Sequence, residues 1–224
     1  GDRIYVTNEE GTTFVFRADP GGYEQLAINQ LGDDTFATPA FLALCAVAFA
    51  YIGIEAALTL FATPYAMEAL ALAETDGGRA ISGFWLGIGL GRVLLLVPRG
   101  TVDARWLVGA GALGALLVAG GVAVELRSVD WWLGACGLAI STVFPIMIAL
   151  GGQLVPTAPG KAVGLVAGLG SIGGFALPWL TSAIADAAGI ALAFGSLAAW
   201  CAAIAIAAVV AQRSLAPAAS VNVP

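Results

Sequence analysis

From residue 39 onward apolar positions run almost without interruption, and polar residues gather in short breaks at 74–79, 99–105, 125–130, 153–161 and 186–189. The breaks leave six apolar runs, at 40–63, 81–98, 105–125, 131–152, 162–185 and 188–211. Each approaches the roughly 20 residues that a helix needs to cross a bilayer core. Residues 1–38 follow another rhythm. RIYVT at 3–7 and TTFVFR at 12–17 alternate and are rich in β-branched and aromatic residues, with Asn8-Glu9-Glu10-Gly11 as a turn between them. Asp19-Pro20-Gly21-Gly22 reads as a second turn, and 23–29 as a third strand. The pattern predicts an all-α membrane protein, with six transmembrane helices in two inverted three-helix units. It divides into a β-rich appendage at 1–39, a membrane domain at 40–212 and a tail at 213–224, whose Ala, Pro and Ser content predicts disorder.

The second run, ISGFWLGIGLGRVLLLVPR at 81–99, orients the others. Gly83, Gly87 and Gly91 recur every fourth position, so a helix carries them as one bare stripe. Such a stripe lets a second backbone approach closely, as small-xxx-small spacing does in membranes. Arg92 falls near one end of the run, where a long side chain reaches the interface, and Arg99 lies just beyond. If the first run starts in the cytoplasm, Arg92, Arg99, Arg105, Lys161 and Arg213 lie inside, against Arg79 and Arg127 outside. That is five against two, or seven against two with Arg3 and Arg17 of the first segment. Both termini are therefore expected in the cytoplasm, with the chain multi-pass in the cell (inner) membrane.

Composition narrows the function. Of 224 residues, 59% are hydrophobic and 11% charged, less than half the roughly 25% of a soluble domain. The net charge of −6 argues against nucleic acid as a partner. There is no histidine, which removes imidazole acid–base catalysis, histidine-ligated haem and most zinc chemistry. Cys45, Cys136 and Cys201 each sit inside an apolar run, without disulfide or metal spacing, and are expected as small core residues. No Walker loop, nucleophile elbow or dinucleotide fingerprint is present, and the GxG-like runs have no strand before them. No catalytic residue, metal or cofactor is expected. The chain opens on Gly1 without a secretory signal, which fits a processed or trimmed end, or the tail of a longer protein.

One acid stands well inside a run. Glu55 is flanked by FAYIGI and AALTLF, and a charge at mid-bilayer costs about 2.5–3.5 kcal/mol on insertion scales. Two readings stand side by side, a proton-coupling or substrate-binding carboxylate, and a hydrogen-bonded structural glutamate between helices. Tyr51 and Thr59 lie four residues to either side, so the three share a helix face. Trp85 and Tyr51 could offer flat faces to a sugar-like ligand, or pack. Trp131 and Trp132 read as an interfacial belt, and Trp106 as its counterpart at the other surface. Pro64, Pro145 and Pro178 are expected to break or kink the first, fourth and fifth runs, as in transporter pathways. Gln153 and Asp186 read as polar helix ends. Gly164, Gly168, Gly170, Gly173 and Gly174 weaken the fifth run unless close packing uses them.

These runs resemble a known pattern. FAYIGIEAALTLFATPYA (49–66), SGFWLGIGLGRVLLL (82–96), FPIMIALGGQLVP (144–156) and KAVGLVAGLGSIGGFALPWLTSAIADAAG (161–189) are similar to the C-terminal six helices of major facilitator superfamily transporters. The sugar-transporter-like branch is the nearest, through its YxGxE and FWxGxxxGR runs. The resemblance implies half of a secondary transporter, a symporter for a small polar solute of sugar-like kind, working by alternating access. It places Glu55 on the helix facing the cavity and Gly87, Gly91 and Arg92 in a cytoplasmic gate motif. The partner half is then expected from a second six-helix unit, a homodimer mate or a larger membrane complex. Residues 1–41 resemble one repeat of a quinoprotein-type β-propeller, and one blade needs neighbours to bury its faces. That segment, foreign to the transporter family, raises an alternative: a non-transporting structural or accessory subunit of a larger membrane complex.

Overall fold

The computed structural model describes residues 3–7, 12–17, 24–30, 36–96, 103–156 and 158–215. Strands β1 (Arg3–Thr7), β2 (Thr12–Arg17) and β3 (Gln25–Gln30) form an antiparallel sheet in the order β1-β2-β3. Ile4 pairs with Phe16 and Val6 with Phe14, so the alternation that predicts the first two strands also sets their register. The third strand starts two residues later than expected and ends at Gln30. A bulge between Val15 and Phe16 shifts its pairing with β2.

Helix α1 (Pro39–Pro64) begins where the sequence says it should. Thr38 Oγ1 accepts the Phe41 N–H at 3.3 Å, and Pro39 fills the first turn, where no intrahelical donor is needed. A π-helical turn (Tyr65–Ala69) follows Pro64 and prolongs the helix instead of ending it. Next come α2 (Glu74–Leu94), α3 (Arg105–Ala123), α4 (Val129–Ile140), α5 (Val143–Leu154), α6 (Pro159–Ala188) and α7 (Ile190–Leu215). Among the described residues, five helical stretches are long and apolar enough to cross a membrane: Pro39–Ala69, Arg105–Ala123, Val129–Leu154, Pro159–Ala188 and Ile190–Ser214. The sixth expected span is α2. At 21 residues it is about 31 Å long, yet Glu74, Asp76, Arg79 and Arg92 make it more polar than the rest. It starts seven residues before the apolar run, and residues 97–98 of that run lie outside the described ones.

Prolines act differently from one run to the next. The fourth run is two helices, α4 and α5, parted at Ser141-Thr142, and Pro145 sits in the first turn of α5. Helix α6 passes through Pro178 unbroken. The α6–α7 corner needs Gly189, whose φ of +89° L side chains rarely adopt. Helix α7 continues past residue 212 to Leu215, and 216–224 lie outside the described residues.

Glycine sets the close seams. On α2, a Cβ at Gly83 would fall on the Asp130 carbonyl, one at Gly87 on the Gly134 carbonyl and one at Gly91 on Ser141 Oγ. The stripe read from the sequence is therefore the α2–α4 contact. Gly173 of α6 meets the Phe49 carbonyl of α1 in the same way, and Gly170 lies against Ala48. The chief helix pairs are α1 with α6, α2 with α4, α3 with α7 and α1 with α7. Exchanging the first three spans for the last three turns the α1–α6 pair into the α2–α4 pair and leaves α3–α7 unchanged. Side chains tie one end: Arg127 Nη1 donates to the Leu70 carbonyl at 2.7 Å, and Arg79 Nη2 to Asp130 Oδ2 at 2.8 Å, so α2 and α4 run parallel from that end. At the other end Lys161 Nζ lies 4.7 Å from the centre of the Phe36 ring.

Trp132 departs from the expected belt. It is buried, donates Nε1–H to the Leu117 carbonyl at 2.8 Å and packs on Tyr65 and Phe194, while Trp131 beside it is exposed. One helical step of 100° separates the two faces, so adjacent tryptophans cannot share one role. Cys45, Cys136 and Cys201 are buried free thiols of the core.

Candidate functional site

Helix α1 carries Tyr51, Glu55 and Thr59 on one face, as the four-residue spacing requires. Tyr51 Oη donates to Glu55 Oε1 at 3.3 Å. Thr59 Oγ1 donates at 2.8 Å to the backbone carbonyl of Glu55, not to its carboxylate. This is the local bond by which a hydroxyl satisfies itself within an apolar helix. Glu55 lies about 24 Å along the helical stretch from Pro39 and about 21 Å before Ala69, at its middle.

Helix α2 supplies a cation to this acid. Arg92 Nη2 is 3.3 Å from Tyr51 Oη, to which it donates, and 3.9 Å from Glu55 Oε1. Its guanidinium also lies 5.8 Å from the centre of the Phe144 ring of α5, which packs on the Tyr51 ring at 6.2 Å. Arg92 was expected to reach the membrane interface. Instead it turns toward the interior of the bundle, with its side chain 44% exposed. The wholly buried Tyr51 hydroxyl thus stands between carboxylate and guanidinium, and three helices meet at one polar cluster.

Beside the cluster an open groove of about 290 Å³ is lined by Ile52, Glu55, Ala56, Thr59, Leu60 and Trp85. Trp85 is 45% exposed and forms its α2 wall. The structure therefore brings Glu55, Thr59 and Trp85 to one opening and keeps Tyr51 behind it. Gly87 and Gly91 do not reach the groove; they face α4, on another side of α2. Gln153 and Asp186 are exposed at or near helix ends. Among the described residues no group of three or more His, Cys, Asp or Glu could hold a metal ion.

Two named sugar transporters are similar to this chain. Both are glucose/galactose transporters of Brucella abortus, one from biovar 1 strain 9-941 and one from strain 2308. Each is 28% identical over 149 residues, covering 65% of this chain and 36% of the relative. The chain thus spans about a third of the length of the curated relatives it matches. No family model matches the chain. No solved structure matches it either. The apolar helices and these relatives together describe a multi-pass membrane protein of sugar-transporter-like character, and the relatives' name is that of a carrier and not of an enzyme.

Phe144 is the site residue that the sequence does not single out. Its only mark in the sequence is its place just before Pro145, in the FPIMIALGG stretch. Arg92 is singled out, but without its contact to Tyr51. Its 41-residue separation from Tyr51 carries no sign that the two side chains meet.

Proposed function

We propose that this chain is the C-terminal six-helix half of a secondary transporter for a small polar, sugar-like solute. It works by alternating access against a partner half in the cell (inner) membrane. That half is a second six-helix unit, a second copy or part of a larger membrane complex. Both termini lie in the cytoplasm, on the loop-charge argument. The observation that carries this reading is Glu55 at mid-span on an open groove. A membrane-buried hydrogen bond is worth about 0.6 kcal/mol on average. The hydrogen bond that Glu55 accepts from Tyr51 therefore falls short of the roughly 2.5–3.5 kcal/mol that a mid-bilayer charge costs, and Arg92 at 3.9 Å lies beyond hydrogen-bond reach. A wet groove that admits water and solute supplies the difference. In that groove the carboxylate accepts solute hydroxyls and a coupling proton, and Trp85 offers a flat face to an apolar ring surface. Gly87, Gly91 and Arg92 belong to the gate at the cytoplasmic end of α2. The three-stranded sheet is read as one blade-like repeat of the propeller type, serving to dock the chain.

Uptake of labelled glucose and galactose into vesicles tests this, using the chain together with whatever polypeptide co-purifies with it. Glu55→Gln keeps the shape and removes the charge, so membrane assembly should survive while proton-driven uptake falls at least tenfold. Uptake that persists in Glu55→Gln with an unchanged pH profile leaves the carboxylate structural. An assembled complex with no uptake of either sugar, and no stabilisation by them, supports the non-transporting subunit instead.

A further inference from the structure

A second groove, sharing no lining residue with the first, runs between α3 and α4. It measures about 680 Å³, and its hollow is opened by Gly109, Ala110, Ala135 and Ala139 between Leu113, Leu117 and Leu138. A polar residue, Arg105, stands at one end. From Arg105 to Leu117 the groove follows twelve residues of α3, or about 18 Å. One leaflet of a bilayer with a hydrocarbon core of about 30 Å is about 15 Å thick, so the hollow matches one extended acyl chain.

The mouth is built for an anion. Asp103 Oδ2 holds Arg105 Nε at 2.9 Å, and Asp103 Oδ1 accepts the Arg105 backbone N–H at 2.9 Å. The carboxylate thus occupies one edge of the guanidinium and fixes its direction. No second acidic residue pairs with Arg105 among the described residues, and the side chain is 76% exposed, which leaves guanidinium N–H groups open. Those donors match a phosphodiester. Half-exposed Trp106 sits beside them, and indoles favour the membrane–water interface.

We infer that this groove holds one anionic phospholipid of the surrounding bilayer, its phosphate on Arg105 and one acyl chain along α3 and α4. The occupant is a lipid rather than a protein helix. The hollow runs between small side chains, with Thr142 also in its lining, and its one charged residue lies where a headgroup would.

The structure offers a clean pair of variants. A Cβ at Gly109 would meet no atom within 4 Å, and the same holds for Gly120 on the same helix outside the groove. Gly109→Leu therefore fills the hollow without a backbone clash, and Gly120→Leu is its control. The chain is purified from nanodiscs of equal phosphatidylglycerol and phosphatidylcholine, and retained lipid is counted by native mass spectrometry. The expected result is about one phosphatidylglycerol per chain, unchanged in Gly120→Leu and at least tenfold lower in Gly109→Leu. Arg105→Gln should bring retention of the two lipids to parity. Unaltered retention in Gly109→Leu overturns the site. Equal retention of both lipids by the unaltered chain overturns the role of Arg105. A stoichiometric co-purifying protein lost in Gly109→Leu would make the groove a protein interface, which overturns the lipid.

Discussion

Helix α2 has two working faces, and they are built on opposite principles. Toward α4 it shows Gly83, Gly87 and Gly91, and the two backbones touch with almost no side chain between them. Toward α1 it shows Trp85 and Arg92, and the helices part enough to leave a groove and a polar cluster of Arg92, Tyr51 and Glu55. The first face gains from dispersion at close range, the force that remains when lipid removes the hydrophobic drive between helices. The second face gives up packing and leaves a carboxylate beside an opening. One helix thus joins a close-packed seam to an opening.

The largest effect should come from breaking the seam. Gly87→Leu drives a Cβ into the Gly134 carbonyl and Leu138 backbone, so α2 and α4 must separate. We expect about 3 kcal/mol of destabilisation, near the upper end for overpacked sites, read by thermal unfolding in detergent. Gly89→Leu is two residues away on an open face, where a Cβ meets nothing within 4 Å, and should leave the melting temperature nearly unchanged. Equal behaviour of the two variants would dissolve the distinction between the faces.

A smaller effect is expected at the cluster. Tyr51→Phe keeps the buried ring and removes the hydroxyl between Glu55 and Arg92, for a cost of about 1 kcal/mol. Thermal unfolding should shift only slightly, while proteolysis at the α2 end near Arg92 should quicken as that end loses its tie to α1. A loss as large as that of Gly87→Leu would mean that the cluster, not the seam, holds α2.

These two faces also differ in how far the sequence discloses them. The Gly83, Gly87, Gly91 spacing states the seam outright, because a helix has one period and bare positions four apart must align. Strands β1 and β2 and the apolar spans are legible for the same reason, since period and length are local properties. The cluster is half legible. Tyr51 and Thr59 follow from Glu55 by spacing, yet Thr59 turns to its own backbone, and Arg92 and Phe144 join only through tertiary packing. The start of α2 at Glu74 is hidden because ETDGGR reads as a loop, although the Asp76 carboxylate accepts the Ala73 N–H and caps the helix. The fate of Trp132 is hidden as well, since its partner Leu117 lies on another helix.

Whether the groove beside Glu55 is wet and takes the solute decides the account, and one cysteine can report it. The native thiols are buried, so a membrane-impermeant maleimide should label the unaltered chain poorly. Thr59→Cys places a thiol on the groove wall beside Glu55 and opposite Trp85. The account predicts that this thiol reacts readily, that glucose or galactose slows the reaction severalfold, and that Glu55→Gln in the same background abolishes the protection. A thiol at position 59 that stays unreactive from both sides of the membrane, or reacts at the same rate with and without sugar, would contradict it.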